Sequence, residues 1–198
     1  MITFYNICPE EPYFRFKDKY DQALNKNQQL IEAIAISSYS SKTQEVDVRF
    51  VNLKIIDGRD FIFFTNYLSP KALQFESHKQ IAVSIYWQSI NVQIRMKAEI
   101  NKTSSTFNKK YFAERSLKKN ALAISSKQSS IINSYENVKE NYKRALNKND
   151  LSKCPSYWGG YTFSPYYFEF WEGHKSRLNK REVYEFNGAE WKNFILEP

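Results

Sequence analysis

The chain has 198 residues, with 29 Lys and Arg against 21 Asp and Glu, a formal charge of +8. That length suits a single domain with a substantial core, and the charge favours anionic partners such as small phosphorylated ligands, nucleic acid or acidic surfaces. Two cysteines and two histidines without ligand spacing argue against a protein metal site, and no apolar run approaches a membrane span, so the expectation is a cytoplasmic protein with reduced thiols.

Glu11 to about Asn27 reads as an amphipathic helix with Pro12 in its first turn and Phe14, Tyr20 and Leu24 at helical spacing. The period then changes. Ile31 to Ser40, Val46 to Ile56 and Phe61 to Thr65 are strand-like, with Asp57-Gly58 as the turn between the last two. Ser69-Pro70 supplies a cap and a first-turn proline for a helix to about His78. Ile81 to Trp87 and Asn91 to Ile100 form a strand pair, followed by helices around Ser105 to Arg115, Leu117 to Ser125 and Ser134 to Asn147. Strands return at Tyr157 to Phe163, Tyr167 to Trp171, Arg177 to Phe186 and Trp191 to Leu196, with Asn187-Gly188 as a hairpin turn. Mostly antiparallel strands with a helical insertion make a mainly β, α+β fold, and a closed or split barrel removes the exposed edges.

The basic residues Lys109-Lys110, Lys118-Lys119, Lys139, Lys143 and Arg144 are scattered without a nucleic-acid motif, which favours a solvated helix face over a nucleic-acid groove. Other tracts carry more chemistry. Arg49 and Lys54 lie five residues apart in one strand, an odd separation that puts them on opposite faces. Phe64-Thr65 to Lys71 runs from a strand through a polar loop into a helix start, where free N–H groups and the helix dipole favour an anion. Tyr111 and Arg115, four apart on a helix, converge on one face. Near the C-terminus, Glu169-Phe170-Trp171-Glu172-Gly173 and Arg177-Leu178-Asn179-Lys180-Arg181 combine aromatic faces with guanidinium forks in a stretch expected to form adjoining strands, which suits a flat anionic ligand. Taken singly, Arg49 and Lys54 read more readily as exposed strand charges, Gln93 as a solvated strand residue and Trp171 as core.

These tracts, in this order, together with Gln93-Ile94-Arg95 and Lys127-Gln128-Ser129-Ser130, resemble the pyridoxamine 5′-phosphate oxidase family. The resemblance implies an FMN-binding split β-barrel over residues 1–198, a homodimer with flavin sites built from both subunits, and dimerisation strands at about 157–198. It assigns FMN to Arg49, Phe50, Val51, Asn52, Leu53, Lys54, Phe64, Thr65, Ser69, Lys71, Gln93, Gln128, Ser129, Trp171 and Arg181. It assigns the phosphorylated substrate to Lys54, Tyr111, Arg115, Lys119, Arg177 and Asn179, with Arg177 and Asn179 in the catalytic role over the substrate ring.

The implied reaction is oxidation of pyridoxine or pyridoxamine 5′-phosphate to pyridoxal 5′-phosphate, with oxygen reoxidising the flavin. The cofactor carries the hard chemistry, so no acid–base pair is required. Three positions depart from the family pattern: Pro70 replaces an arginine, Lys119 a serine and Asn179 a histidine. The family's N-terminal extension, which helps cover the substrate, has no counterpart before Glu11. These departures leave room for a weakened oxidase, a flavin oxidase with another substrate of the phenazine-pathway type, or a non-catalytic binder of FMN or pyridoxal phosphate.

Overall fold

A computed structural model of the protein describes residues 1–148 and 150–198. Its strands are β1 (Thr3–Tyr5), β2 (Ala33–Ser40), β3 (Glu45–Asp57), β4 (Asp60–Asn66), β5 (Gln80–Trp87), β6 (Val92–Lys102), β7 (Trp158–Glu172), β8 (Lys180–Phe186) and β9 (Trp191–Leu196). The helices are α1 (Glu11–Asn25), α2 (Pro70–Ser77), α3 (Ser105–Glu114), α4 (Leu117–Ser125) and α5 (Tyr135–Lys148). Strand pairing runs β3 to β2, β5, β6, β7 and β4, and β4 returns to β3. Six strands therefore close on themselves, while β8 and β9 continue the sheet from the far half of β7.

The two strands expected around 157–171 are one strand of 15 residues. Pro165 has no N–H to give to a ladder, which favours a break there. Instead the register against β6 steps from Lys97↔Tyr167 to Ala98↔Pro165, leaving Tyr166 as the extra residue of a bulge. The bulge lets the first half of β7 pair with β4 and the second half pair with β8. β1, which the sequence pattern did not reveal, is too short for a period and lies parallel to the end of β3.

The tight turn at Asp57-Gly58 is present, with Gly58 at φ 57° and Asp57 paired to Asp60. Helix α1 has the expected bounds but a different buried face. Tyr13, Phe16, Tyr20 and Ala23 point inward, whereas Phe14 is 60% exposed. The true stripe follows the steps of three and four from Tyr13, and Phe14 lies off it. Phe16 meets Phe61 and Trp87 at ring separations of 5.1 and 5.6 Å, which anchors the helix on the barrel. Loss of such a ring from a packed core costs about 3–5 kcal/mol.

The helical insertion α3–α5 packs on itself through Ala121, Ala145 and Leu151. Asn120 ties it together by donating to the carbonyls of Phe112 and Leu151, each at 2.8 Å. The cationic side chains at Lys109, Lys110, Lys118, Lys139, Lys143 and Arg144 are exposed, as the solvated-face reading requires. Among the described residues, no helix is long and apolar enough to cross a membrane.

Candidate active site

A cleft of about 760 Å³ opens between β3, β4 and the start of α2 on one side and α3–α4 on the other. Eleven of the expected site residues line it: Phe50, Val51, Asn52, Lys54, Phe64, Thr65, Lys71, Tyr111, Arg115, Lys119 and Gln128. A smaller adjoining recess of about 350 Å³ adds Arg49 and Ser129 and shares Phe50, Lys71 and Gln128 with the cleft. Arg49 and Lys54 thus serve different compartments, as their odd spacing on β3 requires.

The recess is built around Lys71, in the first turn of α2, and its ammonium is buried with no carboxylate partner among the described residues. It donates instead to the hydroxyls of Thr65 and Ser69, at 3.2 and 3.3 Å. Burial, and then the nearby charge of Arg49, push its pKa down to about 8. A buried cation with only hydroxyl partners is a poised anion site, because a bound anion restores what desolvation removed. Ser69 stands at the helix N-cap, but its hydroxyl donates to the Asn66 carbonyl at 2.7 Å and accepts no helix N–H. The expected side-chain cap is absent because that oxygen is already committed to Asn66 and Lys71.

Gln128 closes the recess from the loop after α4. Its side-chain oxygen accepts from the Thr65 hydroxyl at 3.2 Å and the Asn66 N–H at 3.3 Å. Arg49 is oriented by Ser38 and by Gln74 of α2, the latter at 3.1 Å, and burial lowers its pKa against the pull of Asp47. Ser38 and Gln74 were not legible in sequence, since polar residues that hold an arginine carry no motif of their own.

The far wall of the cleft is aromatic and cationic. Phe64 stacks on Tyr111 at 3.8 Å with the planes 6° apart, and Trp158 lies nearly parallel to Phe64 with the ring centres 5.1 Å apart. The Arg115 guanidinium lies 4.5 Å over Trp158. It is half-buried and, among the described residues, has no carboxylate partner, and its Nη1 is buried without a hydrogen bond there. Burial lowers its pKa, with Tyr111 and Cys154 opposing. Tyr111 and Arg115 do share one cavity, but Arg115 is the residue after α3, in extended conformation, so its direction comes from the α3–α4 junction and not from helix spacing. Trp158 does not line the cleft but is buried against Phe64 and Arg115, a supporting role that the sequence did not mark although the residue precedes Gly159-Gly160. A Cβ on Gly159 would collide with the Tyr67 hydroxyl and the Asn108 amide, so only glycine fits that close approach.

Two expected residues lie off the cavity walls: Leu53 is wholly buried in the core, and Ser69 acts through Lys71. The C-terminal set lies elsewhere in the same chain. Gln93, Trp171 and Arg181 occupy one row across β6, β7 and β8, because Gln93 pairs with Trp171 and Trp171 with Arg181. Arg181 is engaged by the buried Glu169 at 2.8 Å. Arg177 and Asn179 are in the loop between β7 and β8, not on a strand. Arg177 has φ 60°, and the Asn179 side-chain oxygen accepts from the His174 N–H at 3.0 Å.

A barrel closed by β4 and β7, with an anion-ready cleft on its wall, is the architecture of the FMN-binding split-barrel proteins. The C-terminal dimerisation region of pyridoxine 5′-phosphate oxidase matches residues 158–198. The pyridoxine/pyridoxamine 5′-phosphate oxidase 1 of Hydrogenovibrio crunogenus is 32% identical over 95% of this chain and 88% of its own. That of Rippkaea orientalis is 34% identical over 95% and 90%. Among solved structures, PhzG from Burkholderia lata, in complex with tetrahydrophenazine-1-carboxylic acid, superposes with a TM-score of 0.89 at 25% identity, covering 96% of this chain and 94% of that one. The chain belongs to the pyridoxine/pyridoxamine 5′-phosphate oxidase family and is an FMN-dependent oxidoreductase.

Proposed function

We propose that the protein is a homodimer that binds FMN and oxidises pyridoxine or pyridoxamine 5′-phosphate to pyridoxal 5′-phosphate, with oxygen as acceptor. The observation that carries this reading is the pair of uncompensated cations, Lys71 in the recess and Arg115 across the cleft, separated by flat aromatic walls. Two anionic groups on planar ligands answer that pattern: the FMN phosphate at Lys71, Arg49, Ser129 and Gln128, and the substrate phosphate at Arg115, Lys54, Tyr111 and Lys119. When bound, the flavin supplies the two-electron acceptor and its reoxidation by oxygen. The chain's own work is to grip both phosphates, hold the rings parallel and exclude water.

Gln93, Trp171, Arg181, Arg177 and Asn179 enter this scheme from a second copy, whose β6–β8 face would lie against the cleft. The match of residues 158–198 to a dimerisation region supports that arrangement, as do Val46, Val48 and Phe50, exposed by 69, 67 and 77% on β3. Pro70 cannot supply the charge of an arginine, so flavin affinity is lowered, with Lys71 and Arg49 retained.

A second reading, a flavin oxidase of the same fold acting on another planar anionic substrate, is favoured by Asn179. Its side-chain oxygen is committed to the His174 N–H inside its own loop. Purification followed by a visible spectrum and addition of pyridoxine 5′-phosphate in air decides between them. Yellow protein that releases peroxide is the expected result. Yellow protein without peroxide favours the second reading, and a colourless folded protein that cannot be loaded with FMN overturns both.

A further inference from the structure

Glu32 lies just before β2 and was no part of the expected site, yet it lines the cleft, where two cations of the same lining, Lys54 and the Met1 ammonium, pair with its carboxylate. The Lys54 ammonium donates to it at 3.4 Å, and the pair is only partly exposed, 26% for the lysine side chain and 23% for the glutamate. The Met1 ammonium, 79% exposed, approaches the same carboxylate at 3.3 Å. Among the described residues on this wall, Lys71, Arg115 and Lys119 have no carboxylate partner, so Lys54 is the one side-chain cation already neutralised. The second carboxylate on the wall, Glu114, has no ion pair among the described residues.

A carboxylate behind a lysine orients it, whereas one on the cavity wall occupies the space a ligand oxyanion needs. The long ion-pair distance and the shared wall fit the latter arrangement. We propose that Glu32 is a built-in competitor for the anion at Lys54, which weakens the cleft's hold on a phosphate dianion and favours ligands whose anionic end can be held by Arg115 and Lys119 alone. This rests on the reading of the cleft as a site for a phosphorylated substrate, and it deepens that reading. Removing Glu32 frees Lys54 and deletes a like charge a few ångströms from the incoming phosphate.

The test is calorimetric titration of the flavin-loaded protein with two probes, inorganic phosphate and pyridoxal 5′-phosphate. Glu32→Gln should tighten both by about tenfold, the scale of one partly screened charge contact. Glu32→Thr should behave alike and serves if the glutamine variant folds poorly. Glu114→Gln removes the same charge from the same wall without touching Lys54, and should change affinity less than about twofold. In a Lys54→Met background the gain from Glu32→Gln should shrink to less than about threefold. Unchanged or weaker phosphate affinity in Glu32→Gln, an equal gain in Glu114→Gln, or no phosphate binding by any variant overturns the inference. If phosphate tightens as expected but pyridoxal 5′-phosphate binds to no variant, the inference holds for the anion and the vitamer reading fails instead.

Discussion

The cleft and the outer face of β6–β8 are both rich in arginine and lysine, but they treat those charges in opposite ways. On the strand face, Arg181 and Arg95 flank the buried Glu169 at 2.8 and 3.3 Å, and Tyr167 donates to the same carboxylate at 3.2 Å. In the cleft, Lys71 has only hydroxyls and Arg115 keeps a buried nitrogen unpaired. The first arrangement is satisfied by the chain itself. The second carries a desolvation penalty that only an anion removes, so it costs stability in the ligand-free protein and returns it as affinity.

The largest effect should follow from Lys71→Met. Losing the buried ammonium should lower FMN affinity by about a hundredfold, in the range of about 3 kcal/mol for a desolvated charge contact. The flavin-free variant should melt no lower than the parent, because the penalty of burying an unpaired cation goes with it. Flavin titration and thermal melts read the two effects separately. A variant that melts lower while keeping its flavin would erase the contrast between the two regions.

The same lysine sets a pH dependence. Its pKa is near 8 in the folded chain against an ordinary 10.5. Between those values the unfolded chain holds more protons, so the stability of the flavin-free protein should rise as pH climbs through that window. Anion affinity should fall over the same range, because binding needs the charged form. Phosphate titrations at pH 7 and 9.5 check the sign, and an affinity that does not fall places Lys71 outside the anion site.

Arg115→Ala comes next, weakening binding or turnover of the phosphorylated vitamer by about 2–3 kcal/mol while leaving flavin content nearly unchanged. Loss of the yellow colour in a folded variant would show that Arg115 serves the flavin. On the satisfied face, Glu169→Gln leaves two arginines without their carboxylate. It should cost about 1–2 kcal/mol of stability, a melting decrease of about 3–6 °C for a chain of this size. An unchanged melting temperature would mean that this face is not held by its own ion pairs.

The smallest effect belongs to Asn179→His. Imidazole Nδ1 can still accept from the His174 N–H, and the ring adds a group able to carry charge beside Arg177. Peroxide release with pyridoxine 5′-phosphate at equal flavin occupancy should rise several-fold, about 1 kcal/mol. No gain in a variant with the loop intact would favour the altered-substrate reading.

Local chemistry decided much of this protein. Alternation of apolar residues placed β2–β6, β8 and β9 to within a few residues, Asp57-Gly58 and Asn187-Gly188 marked two hairpins, and Ser69-Pro70 opened α2 where expected. The tracts proposed to grip anions were also marked in the sequence, because a tract such as Arg49 to Lys54 alternates faces by strand geometry alone. Tertiary structure decided which half of β7 pairs with which neighbour across the Tyr166 bulge, and which stripe of α1 faces the barrel. It also decided which cations stay uncompensated. Arg49 is held by Gln74, 25 residues away, Lys54 meets Glu32 across 22, and Thr65 reaches Gln128 across 63. Periodicity and turn propensity act over a few residues and can be read along the chain. Charge neutralisation and desolvation depend on groups that only the closed barrel brings together, so the same residue type is a buried cation with only hydroxyl partners at Lys71 and a neutralised partner at Lys54.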